Sequence, residues 1–391
     1  MKHSVYFRWI GIFLVFAMLC VAPRFTVTAH SSAEPRKQVT DAALRLVQFC
    51  IDPRMGLDER DIVTLTDYVL SSKPEKELAL PDSQGCPGAY QEFDTKTNFS
   101  RFMDYSYNPL IPAVVTRPSS LRYSLWGSTR GKSPKLPAGW KPVPAGGSPM
   151  ILHGLQHDSN TPDLTTGVYY EYDLKRTLIV ANYKGRQVLV SISKQIDKSR
   201  IGEKGFIIGN DSDWNYYYSG EPGSAKAGLG WIESYIYDYY SVGIYVESGS
   251  APVMLRTGVF QWIKAGWMGV NFVKPGHIIE GLKRFARNNK AILESSRLPA
   301  PNRMISAYQW LVNLPIGDLK QKYASLQQAQ RSSAIQTGKL SKSKSDEPLS
   351  LAKTTKEQMV EELMLEYVKM VLGKPTPMKT QLARLFPEPL T

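Results

Sequence analysis

The stretch VYYEYDLKRTLIVANYKGRQVLVSIS, Val168 to Ser193, decides the fold class. Val168–Tyr172, Thr177–Asn182 and Gln187–Ser193 are rich in β-branched and aromatic residues, which suit a pleated surface. In the last run Val188, Val190 and Ile192 recur at period two, which places them on one face of a strand. Asp173–Arg176 and Tyr183–Arg186 separate the runs with turn-forming residues. The reading is a three-stranded antiparallel meander. Further strands follow at Phe206–Ile208, Trp214–Tyr218, Trp231–Tyr240, Ile244–Glu247 and Val253–Trp262, punctuated by glycines. Residues 167–272 are thus the antiparallel β-sheet core of an α+β protein, flanked by N-terminal and C-terminal helices.

The flanking helices announce themselves by caps and periodicity. Thr40 and Asp41 start one that Asp52-Pro53 and Gly56 end; Asp58 caps a second through Ser71. Pro275 opens a helix to about Glu294, and another begins near Asn302, breaks at Pro315-Ile316-Gly317 and resumes to about Gln330. Thr354 with Glu357 fits a capping box for a last helix that Gly373 and Pro375 end. Its apolar stripe, Val360, Leu363, Met364, Tyr367 and Val371, docks on its own domain, on a second copy or on a membrane. Residues 331–353 are rich in Ser and Lys and read as a flexible tether.

Toward the N-terminus the pattern changes. Lys2 and Arg8 precede the apolar run Trp9–Ala22, and Val27-Thr28-Ala29 fits a peptidase site, so residues 1–29 read as a cleaved secretory signal. The expected address is periplasmic or secreted, with no membrane span after cleavage. The Cys50 and Cys86 that remain are expected to pair as a disulfide. Residues 30–130 form a helical and irregular region, and 131–149, dense in Pro and Gly, a strap or linker; Trp140 favours the strap. The β domain with its covering helices takes 150–330, and the last helix and tail 354–391.

A hydrophobic share of 42% with 21% charged residues describes a folded chain rather than a disordered one. The formal charge is +13, of which the leader carries Lys2, Arg8 and Arg24. An exported protein meets few nucleic acids, so the partners for that excess are lipid head groups, glycans or an anionic envelope polymer. The bland alternative is that the cations only keep the chain in solution.

Four constellations carry the candidate chemistry. His153, His157 and Asp158 would hold a divalent metal if residues 153–157 were helical, because histidines four apart share a helix face; Gly154 and the flanking prolines argue for a loop instead. Asp211, Asp213 and Asn215 begin a calcium-loop pattern, but Tyr216 and Pro222 stand where glycine and glutamate belong. Ser191 to Lys194 spells S-x-x-K, but on a strand rather than a helix start. The fourth constellation is aromatic: Trp214, Tyr216, Tyr218, Trp231, Tyr235, Tyr237 and Tyr239, the last three spaced to share one face. Tyrosine buries a ring and keeps its hydroxyl hydrogen-bonded, so such a face suits an amphipathic ligand, or else ordinary cross-strand packing.

The expectation is an exported, non-catalytic protein that binds a lipid or glycan on or inside this sheet, with no cofactor. The alternatives are a metal-assisted extracytoplasmic hydrolase using His153, His157 and Asp158, and an envelope interaction module working through the aromatic face or the 354–373 helix.

Overall fold

Residues 168–183 do not turn at Asp173–Arg176; they form one continuous strand. The expected break is occupied by polar side chains that find partners outside the segment. Asp173 meets His157, Lys175 donates to the Ile51 carbonyl, and Arg176 donates to Ser191 and Ser193. The second expected turn does form, with Lys184 and Gly185 both at positive φ.

The computed structural model describes residues 37–127, 133–160, 168–218, 224–226, 230–249, 252–337, 354–379 and 382. The leader and residues 338–353 of the tether lie outside them. In chain order the elements are α1 (Lys37–Ile51), α2 (Glu59–Ser71), β1 (Glu77–Ser83), β2 (Cys86–Thr95), α3 (Phe99–Ser106), β3 (Leu121–Trp126), β4 (Met150–Asn160) and β5 (Val168–Tyr183). Then come β6 (Arg186–Gln195), β7 (Arg200–Asn210), β8 (Asn215–Tyr218), β9 (Ser224–Lys226), β10 (Gly230–Ile232), β11 (Tyr235–Ser248), β12 (Met254–Trp267) and β13 (Val270–Asn271). The helices α4 (Pro275–Leu293), α5 (Pro301–Asn313), α6 (Ile316–Gln336) and α7 (Lys356–Val371) close the chain.

The main sheet is ordered β1-β2-β12-β11-β6-β5-β4-β3, with antiparallel neighbours. The fold is therefore α+β around an antiparallel sheet. The region expected to be irregular supplies β1, β2, β3 and α3. Its strands escaped notice because β2 carries Gln91, Glu92 and Asp94; the first two find partners within β2 itself, and Asp94 is held by Arg256 of β12.

Both faces are covered. On one, here the near face, α1 and α2 lay Ala42, Ala43, Leu46, Ile62, Leu65 and Val69 over Val188, Val190, Ile192, Val242, Ile244 and Phe260. Burying each large side chain there stabilises the fold by about 1.5–3 kcal/mol. On the far face, α4 packs Ile278 and Leu282 on Ala89 and Val259, and a larger core joins Leu178, Val180 and Leu189 to α3, α5, α6 and α7. The strap lies on the fold as well: Trp140 donates to the Tyr107 carbonyl, and the buried Val143 donates its N–H to Gln187.

One expectation about attachment is corrected, and the choice left open for the last helix is decided in favour of its own domain. Cys50 and Cys86 are both buried free thiols, not a disulfide. Cys50 sits beside Thr177 of β5, whereas Cys86 opens β2. Four strand spacings of about 4.8 Å separate those strands, against a Cα limit near 7 Å for a bridge. The last helix, α7, offers no free stripe to a second copy or a membrane: every residue from Gln358 to Val371 is buried. Its carboxylates are held internally. Glu361 accepts from the Ser124 N–H (3.0 Å), Glu362 from Tyr323 and Gln327 (3.1 Å each), and Glu366 faces Lys369 at 2.7 Å. Its capping box is Thr355 with Gln358, one residue later than the spacing suggested. The tether also begins later, because α6 continues to Gln336.

Candidate functional site

His153 and His157 lie on β4, a strand, where four residues span about 13 Å rather than one helical turn. The His153 ring contacts Thr177 Oγ1 at 2.9 Å and packs edge-on against Phe49, and burial lowers its pKa. His157 Nδ1 lies 2.9 Å from Asp173, both side chains buried. Asp158 follows His157 directly, so it points to the opposite face, where it accepts from Gln156 at 2.7 Å. The three candidate ligands do not converge, and among the described residues no group of three His, Cys, Asp or Glu is placed to hold a metal ion. The metal expectation fails because a strand, not a helix, carries the spacing. Asp211, from the calcium pattern, instead pairs with Arg284.

The aromatic residues are dispersed in the same way. Trp214 is core and donates to Asn288 at 2.6 Å. Tyr216 is also core; it donates to Asp211, and its ring lies 4.0 Å from the Arg122 guanidinium. Tyr218 and Trp231 belong to β8 and β10, and their side chains lie outside the described residues. Tyr235 and Tyr237 sit together at the end of the sheet, ring centroids 6.3 Å apart. Tyr239 does not join them. An extra residue between Ile236 and Asp238 shifts the register against β12, and this β-bulge turns Tyr239 onto the far face beside Tyr172.

That far face holds the site that sequence reasoning missed. One cross-strand row reads Gly154, Arg176, Ser193, Ser241, Gln261 across β4, β5, β6, β11 and β12. The next row contains Ser191 and Gly243. Helix-covered sheet faces normally carry apolar residues; here the middle strands carry small and polar ones. Arg176 lies along this floor, donating to Ser193 and, at 2.9 Å, to Ser191, while its Nε finds no partner. Tyr107 Oη donates to Ser191 at 3.0 Å, and the Tyr239 and Ser241 hydroxyls are 2.9 Å apart. At Gly154 a side chain would strike the Trp126 ring, 2.3 Å from its Cβ position, so glycine is what lets that ring close the row's end.

Above the floor stands Arg117, with its guanidinium 5.9 Å from the Phe285 ring centroid. Arg117 and Tyr239 are both half-buried, and the space that they border on the helix-covered face is termed the recess. Tyr107, Tyr245, Asp158 and Tyr239 lie within electrostatic range of Arg117, and Arg176 acts on Tyr239 and Tyr245 as well. Burial raises the pKa of Tyr172, Tyr239 and Tyr245, which keeps these phenols neutral donors. Neither Arg117 nor Arg176 forms a salt bridge among the described residues; the Asp158 carboxylate that acts on Arg117 is already held by Gln156. Withdrawing a charge from water without a close counter-ion costs several kcal/mol.

Among the described residues no histidine, lysine or carboxylate hydrogen-bonds to Ser191 or Ser193. Lys194 falls on the near face, where it pairs with Asp238. A second hollow, an open cleft of about 650 Å³, lies between Asp67, Tyr183, Lys184, Met254 and Arg256. Its charges satisfy one another: Lys184 pairs with Asp67 at 3.3 Å and Arg256 with Asp94 at 2.8 Å. The recess, whose two guanidinium groups form no salt bridge among the described residues, is therefore the stronger candidate. No family model matches the chain, and no curated protein does either.

Proposed function

We propose that this chain is an exported, non-catalytic binding protein that holds an amphipathic ligand through an acidic head group in the far-face recess. One observation carries the reading: Arg117 and Arg176 both act on Tyr239 and Tyr245, and neither forms a salt bridge among the described residues. A carboxylate or phosphate there would take charge-assisted hydrogen bonds from both guanidinium groups and neutralise them. The rings of Tyr172, Tyr239, Tyr245 and Phe285 would line the less polar part of the ligand.

The test is titration with a fluorescent long-chain fatty acid and, separately, with its methyl ester. The acid binds; the ester binds about ten- to a hundredfold more weakly, the worth of one or two charged hydrogen bonds. Arg176→Gln and Arg117→Gln each lose affinity for the acid while circular dichroism shows them folded. Equal binding of acid and ester, or unchanged affinity in both variants, refutes the proposal.

A further inference from the structure

β12 ends in a hairpin that breaks the rules of its own turn. Trp267 pairs with Val270, so the loop is Met268-Gly269 alone. Both loop residues have positive φ, 51° at Met268 and 79° at Gly269. Such a turn takes Asn, Asp or Gly at its first position, because these tolerate the left-handed backbone. Methionine there costs backbone stability. It gains nothing from packing in return, since Met268 is 90% exposed. Val270 and Phe272 beside it are exposed too, and Phe272 stacks on Trp267 with ring centroids 4.0 Å apart. A large apolar side chain that satisfies neither the local backbone nor the core has its reason outside the chain.

The surroundings indicate what that is. Lys264 and Lys274 bracket the hairpin, and no acidic residue occurs from Lys264 to Ile279. Lys198 lies 4.0 Å over the Tyr235 ring, and Tyr237 Oη accepts the Gly269 N–H at 2.7 Å. The neighbouring carboxylates of Glu233 and Asp238 are engaged by Tyr235 and Lys194. An apolar tip ringed by Tyr, Trp and Lys is the composition of a segment seated at a lipid–water boundary. Among the described residues no helix is long and apolar enough to cross a membrane, so the contact would be with its surface. We infer that the β12–β13 hairpin docks on an anionic lipid surface, with Met268, Val270 and Phe272 among the head groups and Lys264 and Lys274 against the lipid charge.

Co-sedimentation of the full chain with vesicles tests this. Vesicles of phosphatidylcholine with about 30% phosphatidylglycerol retain the protein, and pure phosphatidylcholine retains it about tenfold less. Met268→Asn, which suits the turn and therefore folds, lowers binding to the mixed vesicles at least about fivefold. A fluorophore on Met268→Cys shifts to the blue when those vesicles are added. Failure of the wild type to bind the mixed vesicles overturns the inference, as does Met268→Asn binding like wild type. Self-association that Met268→Asn abolishes, without vesicle binding, assigns the tip to a second copy and overturns the lipid reading.

Discussion

Replacing Glu92 by glutamine should change how stability depends on pH. Glu92 lies on β2 with no exposed surface. Tyr90 Oη donates to one of its oxygens at 2.6 Å, and the other has no hydrogen-bond partner. The nearest cation, Arg256, stays 3.9 Å away because its guanidinium is committed to Asp94 (2.8 Å, twice) and to the Ser72 carbonyl (2.9 Å). Burial outweighs the Tyr90 bond and the distant Arg256 charge, and pushes the Glu92 pKa from 4.5 up to about 7. Below the lower value the carboxyl is protonated in folded and unfolded chains alike. Between the two, the unfolded chain ionises and the folded one does not, so the folded state binds more protons and stability falls as pH rises. Above pH 7 the loss levels off at about 3 kcal/mol, because each tenfold change in proton affinity is worth about 1.4 kcal/mol. Glu92→Gln is neutral throughout and can still accept the Tyr90 bond. It should exceed the wild type by up to about 3 kcal/mol near pH 8, and the gap should shrink to below about 1 kcal/mol near pH 5. Urea unfolding followed by tryptophan fluorescence at several pH values reads the difference directly. A gap that is constant with pH, or that widens toward acid, would show that Glu92 is ionised in the folded chain and refute the reasoning.

Both cysteines should resist modification in the native protein, since burial raises the Cys50 pKa and pushes that of Cys86 up to about 11. Ellman's reagent should titrate Cys50 and Cys86 only after unfolding, and reduction should leave the electrophoretic mobility unchanged; a shifted band would restore the disulfide. Lys369→Met leaves the buried Glu366, 2.7 Å from the lost ammonium, without its cation, and should cost about 3–5 kcal/mol. The double variant with Glu366→Gln should recover most of that loss, as judged by the denaturant midpoint; an equally unstable double variant would mean that the loss comes from packing.

The structure separates two kinds of sequence information. What the chain settles within a turn or two is legible directly. Asp58 and Pro275 mark helix starts because a cap or a fixed φ acts on neighbouring backbone groups, whereas the capping box of α7 stands one residue later than the spacing suggests. Likewise, Val188, Val190 and Ile192 show the inner face of β6, because alternation is a property of one strand. The misreadings occur where a residue's partner is distant. Asp173–Arg176 reads as a turn until β4 and β6 supply partners for its charges, and His153 to His157 reads as a loop, or as a chelating helix, until β3 and β5 pair with that segment as a strand. The tyrosine ladder fails at a bulge that exists only in the register between β11 and β12.

The recess is the extreme case. Ser191 and Ser193 alternate with core residues and suggest a solvent-facing side, which a half-exposed antiparallel strand would have. Only the helices packed on the far face make that side interior. Only the same packing brings Arg117 from the segment before β3 over Arg176 on β5. By itself, then, the sequence determined most of the helices and the antiparallel class, since backbone hydrogen bonding and side-chain period are local; it left out α3 and ended α6 short of Gln336. The tertiary structure decided which polar residues are enclosed together, because burial depends on what packs above a residue and not on the residue alone.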